Sequence, residues 1–434
     1  MRWLLVGAFP YPHHQGSQVY LREQARALRA AGVEVELLTY GSRGAQESAD
    51  PGAESIPHHH PPRWTAPRSV ASGPALAKPV ADLALSMTLR RLVASSVRQE
   101  RAYDAVLTHN AEAALAALLA FPRQPRPALV YCAHTLLQAE LPHYLPPRWR
   151  SKLPIYKGNI GFERPTGANL TDLAERATAR IGRSLDRFVV RHTDGWLALT
   201  QSAERVIRHD AGGPGGRIGP PMPDLRTLVR QEEIQSTLQR HGLERRGYVL
   251  YSGNLDGYQS LDQLRAPAHL ATPSRFPAPR VVVASHDPAV RRPGLLPAGI
   301  AGRWVRDDQE MRALLAGARA SLVPRTAPGG YPIKLANSLA LGVPPITLLA
   351  EEWALTHGVS AWIASGPEPT IAIEQAVARL LADDDLAVKL GQGARILYER
   401  SLAPSHVAQK TITLVEEVIS ASRLAADRTV EIGG

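Results

Sequence analysis

Alternating strand and helix signals along the chain predict an α/β fold built on parallel sheets, and three observations carry that expectation. Short apolar runs recur, each ending in a turn rich in Gly, Pro or His and followed by an amphipathic stretch. At 434 residues the chain exceeds what one hydrophobic core serves, so two domains are expected. Two series of such units are separated by Asp210 to Asp224, DAGGPGGRIGPPMPD, where glycine and proline break regular structure and an interdomain linker is expected. The domains are therefore placed at 1–212 and 225–403 with 213–224 between them, and a long last helix, 404–424, reaching back to the first.

In the first half, Trp3 to Ala8 reads as a strand, and Val19, Leu21, Ala25, Leu28 and Ala31 carry helical spacing up to Gly32. Val33 to Tyr40 then alternates as a second strand, which completes a βαβ unit. The loop between strand and helix holds Gly16 and Ser17 at the edge where open parallel sheets bind ligands. Ser17 either presents a donor to a phosphate or sugar oxygen or simply caps the helix. Residues 41–79 read as a surface loop; its His58, His59 and His60 are adjacent, a spacing that does not suit one metal ion. A helix is expected from Leu83 to Val97. Strands Ala105–Thr108 and Ala128–Cys132 end in His109 and His134, two histidines at corresponding strand ends, which raises a functional reading. From Leu136 to Thr193 arginines and lysines interleave with Trp149, Tyr144 and Tyr156, the chemistry of an anionic surface or of a solvated helix face.

The second half opens with the strand Tyr248–Ser252 and the turn Gly253-Asn254, and continues through strands at Arg280–Ser285, Gly302–Val305 and Ala320–Pro324. It culminates in PRTAPGGYPIKLANSLALGVPPI, Pro324 to Ile346: strand end, glycine turn, short helix, glycine stop and new strand. Gly329 and Gly330 permit close approach of the main chain to a ligand, with the helix N–H groups behind them aimed at an anion. Leu335, Leu339 and Leu341 are expected to pack this helix while Lys334 and Asn337 share its other flank.

Composition narrows the function. A formal net charge of +10 favours an anionic partner without choosing among phosphate esters, nucleic acid and acidic membrane. Because many arginines fall in alanine-rich helical stretches, a nucleic-acid partner is not expected, whereas peripheral contact with an acidic membrane stays open. The one cysteine, Cys132, excludes a disulfide framework or cysteine zinc site within a monomer and fits a cytoplasmic setting. No apolar run is long enough to predict a membrane span.

In order and spacing, FPYPHHQGSQVYLREQARAL, YCAHTLLQAELP, YVLYSGNLDGYQSLDQL and GGYPIKLANSLALGVPPI resemble the family-4 glycosyltransferases of the GT-B fold over nearly the whole chain. The resemblance implies two facing Rossmann-like domains with a central cleft. A nucleoside-diphosphate sugar (UDP-, GDP- or another) would be held by the C-terminal domain, and a polysaccharide, lipid-linked or small-molecule acceptor by the N-terminal one. It further implies retaining transfer without a cofactor or metal.

Residue by residue, the resemblance puts Gly16, Ser17 and His109 at an acceptor and phosphate loop, His134 beside the reacting sugar, and Trp304 and Val305 at the base. The family's diphosphate-neutralising Arg and Lys match Asn254 and Gln259 here, and its paired glutamates match Gly329 and Asn337. The charge on the departing diphosphate is then left to Arg325 and Lys334 with the N–H groups of Gly330 and Tyr331. A scaffold that binds a sugar nucleotide or a partner without catalysis is the alternative.

Overall fold

The computed structural model describes residues 1–12, 16–41, 56–67, 78–122, 126–145, 170–255, 260–264, 280–325 and 329–433, in two units. The first comprises Met1–Pro221 with Pro404–Gly434, and the second Met222–Ala403.

In the first unit the order is β1 (Arg2–Pro10), α1 (Gly16–Ala30), β2 (Glu34–Tyr40), β3 (His58–His59), α2 (Lys78–Arg98), β4 (Ala105–His109), α3 (Ala111–Ala120), β5 (Ala128–Ala133), α4 (Leu137–Glu140), α5 (Leu170–His192), β6 (Gly195–Ala198), α6 (Gln201–Asp210) and β7 (Gly215–Arg217). The second holds α7 (Leu225–Leu228), α8 (Gln231–His241), β8 (Val249–Ser252), β9 (Val281–Ser285), β10 (Ile300–Trp304), α9 (Asp308–Gly317), β11 (Ala320–Val323), α10 (Ile333–Leu341), β12 (Pro345–Thr347), β13 (Trp362–Ile363), α11 (Pro369–Ala382) and α12 (Asp384–Ser401). The chain then returns to the first unit as α13 (Pro404–Gly433).

All strand pairs are parallel, in the orders β3-β2-β1-β4-β5-β6-β7 and β10-β9-β8-β11-β12-β13. Parallel strands are covered by helices on both faces, which is why β4, β5, β8 and β9 are buried along their whole length. Each sheet reverses direction beside its first strand, between β1 and β4 and between β8 and β11. These are the switch points at which such sheets open a crevice beyond the strand ends.

The sequence expectation for 213–224 needs correcting. Gly215–Arg217 is not linker but the seventh strand of the first sheet, paired with Trp196–Ala198. Its glycines serve close approach: a Cβ on Gly215 would overlap the main-chain oxygen of Trp196 and stand 2.6 Å from its indole. Likewise, Gly195 and Gly216 leave room for Val418 and Leu414 of α13 to lie against this end of the sheet. The three histidines are also more ordered than a loop, since His58 and His59 form the edge strand β3 beside Leu37 and Leu38. His58 Nε2 lies 2.8 Å from Thr39 Oγ1, and His59 Nε2 lies 2.8 Å from Glu36 Oε2.

Replacing Gly215 by Ala is expected to destabilise the fold by about 1–3 kcal/mol through overpacking against Trp196. Thermal unfolding of the variant checks this, because a free linker would accept the methyl with no change in Tm.

Candidate functional site

In the second unit, β8 and β11 deliver two turns to one edge. Leu335 and Leu339 of α10 are fully buried and Leu341 nearly so, while Lys334 and Asn337 stand half-buried on the other flank. The helix is seated on β11 by Ser338 Oγ, which donates to Ser321 Oγ (2.6 Å), both groups being buried. It stops at Gly342, whose left-handed backbone (φ 70°) donates to the carbonyls of Leu339 and Ser338. At its start the cap position is Pro332, which offers no side-chain acceptor, so the first peptide N–H groups are left to a ligand or solvent.

Two cations flank that helix start. Lys334 Nζ lies 3.9 Å from the ring centroid of Tyr251, the aromatic residue at the end of β8. Tyr251 in turn donates its hydroxyl proton to the Asn254 carbonyl (2.6 Å), which pins the turn. Gly253 between them is left-handed (φ 139°), and a Cβ there would sit 3.2 Å from Lys334 Nζ. On the other side Arg325 Nη1 donates to the Gly330 carbonyl (3.1 Å), and a Cβ on Gly329 would come within 2.7 Å of Arg325 Nη2. The room at Gly329 is thus used by the Arg325 guanidinium. Tyr331 packs against the core beneath, and the Asn337 amide makes no hydrogen bond among the described residues. Asn254 is exposed at this edge, while Gln259 lies outside the described residues.

Trp304 and Val305 end β10 differently from expectation. Main-chain recognition of a base there is limited, because Val305 N–H donates to Ser285 O (3.0 Å) and Arg306 N–H to Glu310 Oε2 (2.8 Å). Val305 itself is fully buried. His286 Nδ1 also bonds the Val305 carbonyl (3.2 Å), while its Nε2 faces Asp308 (3.3 Å), the contact that raises its pKa most. What the strand end presents is the half-exposed Trp304 indole, whose Nε1 donates to His286 O (3.0 Å). Glu310 organises this turn. Burial alone would raise its pKa, but the Arg306 N–H, Arg240 (2.6 Å) and His241 (3.0 Å) hold it at about 2.

At the first unit's edge α1 begins at Gly16, which is exposed, and Ser17 stands within its first turn, not ahead of it as a cap. Gln18 Nε2 donates back to Pro10 O (3.3 Å), tying helix start to strand end. His109 and His134, ending β4 and following β5, are brought together, with His109 Nδ1 2.9 Å from His134 Nε2. Tyr20 packs edge-on to His134 and against His109, with centroids 4.6 and 5.4 Å away. His109 has no exposure, so it does not contribute to a ligand-facing loop; its place is behind His134, which keeps 5%. Burial lowers both pKa values, that of His134 to about 3. The ring of His134 is accordingly neutral across the physiological range.

Tyr20, Tyr251 and Glu310 escaped the sequence reading. Tyr20 lies four residues beyond Gly16, the spacing that returns a helical side chain to the same face, and this is the signal that points to it. Tyr251 directly precedes the Ser252-Gly253 turn, whereas Glu310 has no local signature, being defined by partners from two segments, Arg240–His241 and Arg306.

Glu310→Gln is expected to cost about 1–3 kcal/mol, the worth of hydrogen bonds to a buried charge. The folded pKa lies below the unfolded one, so this stability is present above about pH 4.3 and is lost as pH falls towards the folded value. Acid unfolding should therefore be flatter over that range in the variant, and superimposable acid limbs would contradict the assignment.

Residues 15–219 match the family model described as a glycosyl transferase 4-like domain. No curated protein matches the chain. Among solved structures it is similar to sucrose-phosphate synthase from Thermosynechococcus elongatus, with 13% identity, TM-score 0.70, and 97% of this chain and 100% of that one covered. It is also similar to Anabaena HepE in complex with UDP and glucose, at 15% identity and TM-score 0.61, covering 96% and 99%. WaaG, a glycosyltransferase involved in lipopolysaccharide biosynthesis, matches at 14% and TM-score 0.60, covering 95% and 99%. Residues 15–219 thus match a glycosyl transferase 4-like domain, and the chain's two Rossmann-type parallel sheets share the GT-B fold of these solved structures.

Proposed function

We propose that the protein transfers a glycosyl group from a nucleoside-diphosphate sugar to a polysaccharide, lipid-linked or small-molecule acceptor, with retention at the anomeric carbon and no resident cofactor. The observation that carries this is the β8–β11 edge, where Lys334, Arg325 and the uncapped start of α10 converge on one glycine turn. That HepE has been seen with UDP and with UDP-glucose favours a uridine donor. In the reaction the anomeric carbon–phosphate oxygen bond breaks and a bond to the acceptor oxygen forms, while the acceptor's hydroxyl proton passes to the departing diphosphate. Negative charge grows on that diphosphate, and groups aimed at it lower the barrier. The fixed dipole of α10 and the two cations do so in place of the family's charged residues. Asn337, standing where a carboxylate usually binds ribose, donates and accepts through its neutral amide. Neutral His134 orients the sugar or its phosphate without taking a proton.

Lys334→Ala and Arg325→Ala should each lower kcat about a hundredfold with Tm little changed, as loss of one charge-stabilising group does. A donor panel of UDP-, GDP- and ADP-sugars read by thermal shift and nucleotide release checks this, and EDTA should leave turnover unchanged. Full turnover in both variants would remove the proposed cation pair. Stabilisation by a nucleotide without release in the presence of acceptors would leave a binding protein.

The proposal includes a cytoplasmic protein in peripheral contact with acidic membrane. No helix among the described residues is long and apolar enough to cross a membrane. On α5, however, Leu173 (60% exposed), Ile181 (57%) and Phe188 (45%) line one side of the outward arc, and Arg176, Arg180 and Arg183 the other. Apolar side chains beside guanidinium groups suit the boundary between acyl chains and anionic headgroups. The interleaved aromatics Trp149 and Tyr156 lie outside the described residues. Co-sedimentation with phosphatidylglycerol vesicles should exceed that with phosphatidylcholine and fall in an Ile181→Asp, Phe188→Asp variant. Equal recovery in all three cases would exclude this face.

A further inference from the structure

The buried pair at the ends of β4 and β5 fixes a detail of chemistry that its positions alone do not. His109 Nδ1 and His134 Nε2 share one proton across 2.9 Å, and Tyr20 closes over both rings. Two neutral arrangements satisfy that contact. In one, His134 Nε2–H donates to His109 Nδ1, which forces the proton of His109 onto its Nε2. That atom is buried and has no hydrogen-bond partner, so an N–H would be sealed away unpaired. In the other, His109 Nδ1–H donates to His134 Nε2, and the unpartnered His109 Nε2 is only a bare lone pair. A buried orphan N–H is the rarer defect. The second arrangement leaves the proton of His134 on Nδ1, an atom that makes no hydrogen bond among the described residues and is not among those sealed from solvent.

We propose that His109 is a positioning residue that holds His134 in the Nδ1–H tautomer, so that His134 meets its ligand as a hydrogen-bond donor only. The group it recognises is then an acceptor oxygen, either a phosphate oxygen or the lone pair of a sugar hydroxyl. His134 has no free lone pair with which to take the proton of the attacking hydroxyl. The ligand side of this inference rests on the glycosyl-transfer reading, whereas the tautomer does not.

The test is two-bond proton–nitrogen NMR on the full chain with 15N-histidine. His134 is expected to be protonated at Nδ1 and bare at Nε2, with the same pattern for His109; protonation of His134 at Nε2 overturns the proposal whether or not turnover is found. His109→Phe keeps a buried ring but removes the donor, and should leave His134 as a mixture of tautomers. In transferase assays it should lower kcat about tenfold with KM little changed, the worth of one neutral hydrogen bond. His109→Asn, which returns an N–H close to the Nδ1 position, should restore both the tautomer and most of kcat. If His134 in His109→Phe stays wholly Nδ1-protonated, or if Asn and Phe behave alike, His109 does not position it. Absence of transfer in the wild-type chain with the expected tautomer present would count against the functional reading alone.

Discussion

A helix that starts without a side-chain cap must find other acceptors for its first peptide N–H groups, and in α10 the sequence puts Pro332 where such a cap would stand. Several features of the second unit position that helix start. Ser338 and Ser321 seat the helix on β11, and Gly342 ends it after little more than two turns. The β8 turn brings Tyr251 and Gly253 beneath Lys334, and Gly329 makes room for Arg325. Positive dipole and positive side chains are thereby gathered at a sheet's switch point, the edge where the proposed anion would sit.

The corresponding edge of the first unit follows the opposite electrostatic rule. His134 is neutral there because β4 and β5 are buried strands and His109, His134 and Tyr20 exclude water from one another. Charge on an imidazole there would lose its hydration without gaining a carboxylate, which is why burial drives both pKa values down. At such an edge the proposed recognition depends on the direction of hydrogen bonds.

Much of this was legible in the sequence because periodicity and glycine stops are local signals. Leu335, Leu339, Leu341 and Gly342 defined α10 by spacing alone, and the strand ends at His109 and His134 followed from apolar runs. Long-range packing was not legible. Gly215 carries the composition of a linker, yet it is glycine because Trp196 passes too close for a side chain. Val305 looked available to a base, but Ser285 at the end of neighbouring β9 and His286 just after it already occupy its main chain. Tyr20 was hidden among the apolar residues of α1, since only the fold shows that its face meets two histidines instead of bulk core.

The most direct measurement is hydrogen–deuterium exchange of the full chain with and without UDP-glucose, resolved to short peptides. Slower exchange confined to the first turn of α10, residues 330–336, and to the β8 turn at 252–255 is the expected result. Unchanged exchange in both segments while the nucleotide sugar is demonstrably bound would contradict the assignment of the anion site to α10.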